Sequence, residues 1–65
     1  MLGDVNYWLE YWCASVCRWR PVRDETGADL AYQSLQDAVA AARRYVRPGV
    51  PVRVVDSLDI VVWQT

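Results

Sequence analysis

The sequence predicts an α+β fold in which a four-stranded, mainly antiparallel sheet carries one helix on one face, in the order β-β-α-β-β. Two stretches near the N-terminus and one near the C-terminus alternate in side-chain character with the period of a strand, and a further apolar stretch follows at residues 60–64. A stretch between them repeats its apolar residues at helical spacing. With 65 residues, the chain is expected to form one small domain, residues 1–65.

The first two strands are predicted to pair as a hairpin. Residues 5–14 alternate and are rich in Tyr and Trp, which favour strands, and residues 16–23 alternate again after a short break. Pro21 has no amide hydrogen to donate, so the second strand should have a free edge there or end early. Residues 24–29 combine turn formers with three acids and show no periodicity, which predicts an exposed loop.

A helix is predicted to begin at Ser34 and to stop at Pro48-Gly49. The Ser34 hydroxyl can cap amides of the first turn, and Asp37 suits the positive end of the helix dipole. Arginines follow at the last turn, where cations are favourable. The apolar stripe consists of Leu35, Ala38, Val39, Ala42, Tyr45 and Val46. Its small alanine side chains should let the helix approach a sheet closely.

The last two strands are predicted over residues 50–55 and 60–64. The first of them places valine at every second position, and the second is mostly β-branched. Residues 56–59 form a connection short enough for a second hairpin.

The polarity of the strands predicts which face the helix covers, because charged side chains should avoid it. The predicted core side chains are Val5, Tyr7, Leu9, Tyr11, Cys17, Trp19, Val52, Val54, Ile60 and Val62. The predicted opposite face carries Trp8, Trp12, Trp63, Val55 and Val61, interleaved with Glu10, Arg18, Arg20 and Arg53. A slip of one residue in register would exchange the two faces of a strand.

The composition removes several kinds of function. The sequence has no His and no Lys, which excludes Ser-His and Cys-His nucleophile pairs, imidazole metal ligands and Schiff-base chemistry. We expect no enzymatic activity, no cofactor and no metal.

The net charge of −1 lacks the signature of a bulk nucleic-acid binder. No signal peptide or membrane-spanning run is recognisable, which predicts a cytoplasmic protein without membrane contact.

The face rich in Trp and Arg is the predicted binding site, because exposed apolar patches mark interaction sites and these two residue types dominate hot spots. The predicted partner-binding residues are Trp8, Trp12, Trp63, Glu10, Arg18, Arg20 and Arg53. The partner is expected to be a protein, and the chain is also expected to form a homo-oligomer through this face. Two alternatives stay open: the arginines only cover the indole rings, or the face stacks nucleotides or single-stranded nucleic acid.

Two smaller groups of residues invite a functional interpretation. Asp24, Glu25 and Asp29 could contact a basic partner surface, although acidic loop residues are usually just solvated, and their spacing is not that of an EF-hand. Cys13 and Cys17 flank three residues, so a cross-turn disulfide is conceivable if they face each other. In an intracellular protein, reduced and buried structural thiols are the default expectation.

The C-terminal half resembles many small uncharacterised bacterial and phage proteins. The residues that carry this resemblance are Pro51-Val52-Arg53-Val54-Val55-Asp56 and Val61-Val62-Trp63-Gln64, after Ser34-Leu35 and an Ala-rich helix that ends in arginines. It implies a fold pattern and no activity. In size and β-rich layout, the whole chain is also similar to phage-encoded inhibitors of bacterial defence such as anti-CRISPR proteins, with no motif shared residue by residue. That similarity implies an inhibitor that binds a protein complex.

Overall fold

The computed structural model describes residues 6–65 and confirms an α+β fold, with one helix on a mainly antiparallel sheet. The sheet has five strands, one more than predicted, because a two-residue strand precedes the helix. The elements are β1 (Tyr7–Cys13), β2 (Arg18–Pro21), β3 (Ala31–Tyr32), α1 (Leu35–Arg44), β4 (Val52–Asp56) and β5 (Val61–Gln64). Val5, an expected core residue, lies outside the described residues.

Strand β1 is the centre of the sheet, whose order is β2-β1-β4-β5. One edge of β1 pairs with β4, and its other edge pairs first with β3 and then with β2. After Pro21 ends β2, the Val22 amide still donates to the Leu9 carbonyl at 2.9 Å. The chain then makes an excursion over residues 24–29 and returns at Leu30, whose amide donates to the Val22 carbonyl at 3.1 Å. β2 and β3 are therefore two parts of one interrupted edge.

Helix α1 begins and ends close to the predicted positions. The Ser34 hydroxyl accepts a hydrogen bond from the Asp37 amide at 3.4 Å, as expected of an N-cap. The helix stops at Arg44, and the Tyr45 amide closes it by donating to the Ala42 carbonyl. Arg47, expected in the last turn, lies beyond it, since residues just before a proline disfavour helical geometry.

The core lies between α1 and one face of the sheet. Leu9, Val52 and Val54 are fully buried, as predicted. The other buried members of the core are three small side chains of α1 and one valine that follows β2, namely Ala38, Ala41, Ala42 and Val22. Tyr7, Tyr11 and Trp63 pack around this cluster. The small alanine side chains let the helix backbone come close to the sheet.

The N-terminal hairpin reverses the predicted faces of β2. A connection of three residues would pair Cys13 with Cys17, but four residues separate the strands and Cys13 instead faces Arg18. This shift of one residue places Trp19 opposite Trp12, on the face away from the helix. The core prediction for Trp19 and Cys17 was wrong, and Cys17 lies exposed in the turn with a φ of 54°.

The same shift moves two arginines off the predicted binding face. Arg20 lies opposite Tyr11, which packs against the core, so Arg20 is on the helix side of the sheet. Arg18 follows the same alternation and lies opposite Cys13. The prediction that Arg18 and Arg20 share a face with Trp8 and Trp12 was therefore wrong.

The C-terminal hairpin contains a β-bulge that changes the face of its last residues. Val55 pairs with Val61, as the predicted faces require, but Val54 pairs with Trp63 because Val62 is an extra residue. Trp63 therefore shares the helix side with Val54 and packs against the core, contrary to its predicted place on the opposite face. The exposed fractions of Ile60 and Val62 are 54% and 37%, so the core prediction for these two residues was also wrong.

The bulge predicts unequal effects of two neighbouring substitutions in β5. Trp63→Ala removes a large side chain from the edge of the core and should lower the free energy of unfolding by about 2 kcal/mol or more. Val62→Ala changes an exposed position and should lower it by less than about 0.5 kcal/mol. Urea unfolding followed by far-UV circular dichroism measures both. A larger loss for Val62→Ala would contradict the observed register.

Candidate functional site

The sheet face that α1 does not cover, called the open face below, carries three of the four tryptophans. Strand registers place its side chains in three rows across the strands. These rows contain Trp19 and Trp12, then Pro21, Glu10, Arg53 and Gln64, and then Ala31, Trp8, Val55 and Val61. The structure thus brings together Trp8, Trp12, Glu10 and Arg53 of the predicted site, and it adds Trp19.

Four side chains at one end of the open face form an ordered stack. The Trp12 and Trp19 rings meet edge to face, with centroids 5.6 Å apart and an interplanar angle of 68°. The Arg53 guanidinium carbon lies 4.2 Å from the Trp19 ring centroid. Arg53 Nε also donates to Glu10 Oε1 at 2.7 Å, and both side chains are only about one-fifth exposed. Edge-to-face and cation–π contacts each contribute about 0.5–1.5 kcal/mol, so this end of the face is held in one arrangement.

Sequence reasoning missed Trp19 as a site residue because its face depends on the length of the preceding connection. The sequence carries one signal. Trp19 follows Trp12 by seven residues, and in a hairpin whose connection has four residues this spacing places the two tryptophans opposite each other. Nothing in the alternation of β2 distinguishes a connection of three residues from one of four.

The other end of the open face is close-packed around Val55. This side chain is only 3% exposed although it lies outside the main core cluster. Its cross-strand neighbours are Trp8 and Val61. Val55 is thus buried at a place where no helix of residues 6–65 covers the sheet.

A groove of about 360 Å³ runs beside Trp8 and is acidic. Its carboxylates are Glu10, Asp29, Asp56 and Asp59, and no arginine lines it. The Asp56 carboxylate also shapes the β4–β5 turn by accepting the Leu58 and Ile60 amides at 2.9 and 3.0 Å. Glu10 and Asp29 are already paired with Arg53 and Arg23, so Asp56 and Asp59 are the carboxylates left in the groove that, with the Trp8 ring, suit a cationic side chain. We call this feature the acidic groove.

A larger cleft of about 550 Å³ lies on the helix side, between β2 and the chain that follows α1. Three arginines, two tyrosines and three other side chains line it, namely Arg20, Arg23, Arg47, Tyr11, Tyr45, Pro21, Val22 and Val50. No acidic residue is among them. We call this feature the basic cleft, and the register of β2 explains why Arg20 lies here.

The predicted acidic loop is a structured excursion at the sheet edge. Arg23 Nε donates to Asp29 Oδ1 at 3.0 Å across its base. Asp24 Oδ1 accepts the Thr26 hydroxyl at 2.6 Å, the Thr26 amide at 2.8 Å and the Ala28 amide at 3.1 Å. These bonds, the Thr26 hydroxyl above all, lower the pKa of Asp24 below its ordinary value of 3.8. All three predicted contact residues are exposed, and two of them, Asp24 and Asp29, also hold the shape of the loop.

The two cysteines are free thiols at the first turn. Cys13 Sγ lies 3.2 Å from the Ser15 hydroxyl, a contact that lowers the pKa of the thiol, and Cys17 Sγ donates to the Ala14 carbonyl at 3.5 Å. Cys13 is half-buried and Cys17 is exposed, which corrects the expectation of two buried thiols. Within residues 6–65, no three carboxylates or thiols are placed to share a metal ion.

Comparison of the chain with protein-family models, with curated proteins and with solved structures finds no match. In the described part of the chain, no helix has the length and apolar character needed to cross a membrane. What the protein binds must therefore be inferred from its own side chains.

The Glu10–Arg53 pair should contribute more to stability than the exposed Arg23–Asp29 pair. A double-mutant cycle with Glu10→Ala and Arg53→Ala should give a coupling energy of about 1–2 kcal/mol, because both side chains are only about one-fifth exposed and the hydrogen bond is charge-assisted. The matched cycle with Arg23→Ala and Asp29→Ala should give less than about 1 kcal/mol, because both partners are about half exposed. Urea unfolding measures both cycles. Equal coupling energies would show that burial of the Glu10–Arg53 pair has no energetic effect.

Lowering the pH should remove the stabilising effect of Asp24. Since its pKa is depressed in the folded protein, its contribution is present above the unfolded pKa and is lost as the pH falls through the folded pKa. Asp24→Asn should therefore be less stable than the parent near pH ~6, and the difference should shrink towards pH ~2. Urea midpoints at both pH values measure this. A difference that does not change with pH would contradict the role of the ionised carboxylate.

Proposed function

We propose that this protein is a non-catalytic protein-binding module whose open face contacts its partner. The observation that carries the proposal is that Trp8, Trp12 and Trp19 lie on one sheet face that no helix covers within the described chain. Half-buried indole rings held in place by neighbours present a large apolar surface at little entropic cost. Such rings are the commonest anchors of protein interfaces.

The charges around the open face favour a protein partner there over nucleic acid. Arg53 is the only basic side chain among the three rows, and Glu10 pairs with it at 2.7 Å. The acidic groove beside Trp8 would repel a phosphate backbone. The fitting partner is a protein surface with an apolar centre and a Lys or Arg side chain that enters the acidic groove.

The non-catalytic part of the proposal is supported by the uses that the acidic side chains already have. Glu10 binds Arg53, Asp24 organises the edge loop, and Asp56 organises the β4–β5 turn. A target within a bacterial defence complex, as the resemblance to phage inhibitors implies, stays a prediction.

A second copy of the chain is the competing occupant of the open face. Two-fold packing of this face would bury the three indoles and offset the cost of association, since each large buried side chain contributes about 1.5–3 kcal/mol. It would also bring two acidic grooves towards each other, which opposes such a contact. Light scattering across a dilution series distinguishes the two cases. A stable dimer that is disrupted by Trp8→Ala would assign the face to self-association.

Substitutions on the open face should abolish capture of the partner. The parent protein, Trp8→Ala and Trp12→Ala serve as baits in extracts of the source cell, and Leu35→Ala, an exposed position on α1, is the matched control. A protein enriched by the parent and by Leu35→Ala, and lost from both Trp variants, is the expected partner. Its dissociation constant should rise at least about tenfold in each Trp variant.

A circular dichroism spectrum of every bait shows whether the variant is folded like the parent, so that loss of binding can be distinguished from loss of the fold. If folded Trp8→Ala and Trp12→Ala capture the same proteins as the parent, with the same affinity, the open face is not the binding site.

A further inference from the structure

We propose that the basic cleft is a second binding site, independent of the open face, and that it takes a nucleoside monophosphate. The cleft combines what the two parts of such a ligand require: guanidinium groups for the phosphate, and aromatic rings with aliphatic neighbours for the base. Its volume of about 550 Å³ is within the ~300–1,000 Å³ range of small-molecule sites.

The positive charge of the cleft is largely uncompensated. Arg20 and Arg47 form no ion pair with any carboxylate among residues 6–65. Arg23 does bind Asp29, but through Nε, so its two terminal nitrogens are not used in that contact. A phosphate in the cleft would therefore meet two guanidinium groups without a carboxylate partner, Arg20 and Arg47, and a third, Arg23, whose charge is partly offset by Asp29.

Arg47 is held in position before any ligand arrives. Its Nη1 donates to the carbonyls of Arg44 and Val46, at 3.0 and 3.1 Å, at the C-terminal end of α1. These bonds have two effects. They cover carbonyl oxygens that would otherwise repel an anion at this end of the helix dipole, and they order a long side chain, so binding costs less conformational entropy.

The tyrosines define the place of the base. Tyr11 lies opposite Arg20 in the sheet, and Tyr45 is the C-cap of α1, about one-third exposed. They come from different elements that both line the cleft, together with the aliphatic side chains of Val22 and Val50. The lining therefore offers aromatic and aliphatic surface for a planar base in the same cleft as the guanidinium groups proposed to hold its phosphate.

The site is testable by calorimetric titration in low-salt buffer without phosphate. The probes are the four ribonucleoside 5′-monophosphates, adenosine and inorganic phosphate. At least one monophosphate should bind the parent protein, and it should bind more tightly than phosphate or adenosine. Arg20→Gln should raise the dissociation constant of that monophosphate at least about tenfold. Arg43→Gln, in the exposed last turn of α1 and outside the cleft, is the matched control and should bind as the parent does.

Tyr45→Ala tests the role of the base. This substitution should lower the affinity for the monophosphate several-fold and leave the weak affinity for inorganic phosphate unchanged. Three results overturn the proposal: no binding of any monophosphate at millimolar concentration, binding that Arg20→Gln does not change, or binding of phosphate alone with no effect of Tyr45→Ala. A single-stranded oligonucleotide that binds more tightly than every monophosphate would assign the cleft to nucleic acid and also overturn it.

The two sites can fail separately. Trp8→Ala should bind the monophosphate as the parent does, and Arg20→Gln should still capture the protein partner of the open face.

Discussion

A single ten-residue helix can cover only one face of this sheet, and the arrangement of the other side chains follows from that limit. On the covered face, alanines of α1 meet Leu9, Val52 and Val54, and burial against the helix stabilises the fold. No helix among residues 6–65 covers the other face, so the described side chains there need contacts with one another. The Trp12–Trp19 contact and the Arg53 guanidinium above Trp19 meet that need, and they also place large apolar rings at the surface.

The parts of the structure that the sequence predicted are those that depend on local chemistry. Ser34 caps α1, alternation in β1 places Leu9 in the core, and valines at every second position do the same in β4. The faces of β2 and of the end of β5 depend instead on a connection of four residues and on a bulge at Val62. The connection length leaves no mark in the alternation of β2, because a displaced register only exchanges the faces. The bulge does interrupt the alternation of β5, but the consecutive apolar residues of that strand do not show where.

The errors of register have direct consequences for the candidate sites. The predicted binding face contained three arginines, and the structure leaves only Arg53 there, paired with Glu10. Arg20 joins Arg23 and Arg47 on the other side of the sheet. A chain with a net charge of −1 therefore has one acidic groove and one basic cleft, and Pro21 lies at the border of both. Charge segregation of this kind is invisible in composition and appears only when strands are aligned.

The interrupted edge formed by β2 and β3 affects how the molecule behaves when it is crowded. An uninterrupted edge strand offers a row of free amides and carbonyls to which a neighbouring chain can add as a further strand. Here that row is broken by Pro21, which has no amide hydrogen, and then by the excursion of residues 24–29. The two remaining segments are four and two residues long. Amyloid-like growth needs a longer unbroken template, so the edge formed by β2 and β3 is a poor site for adding a further strand.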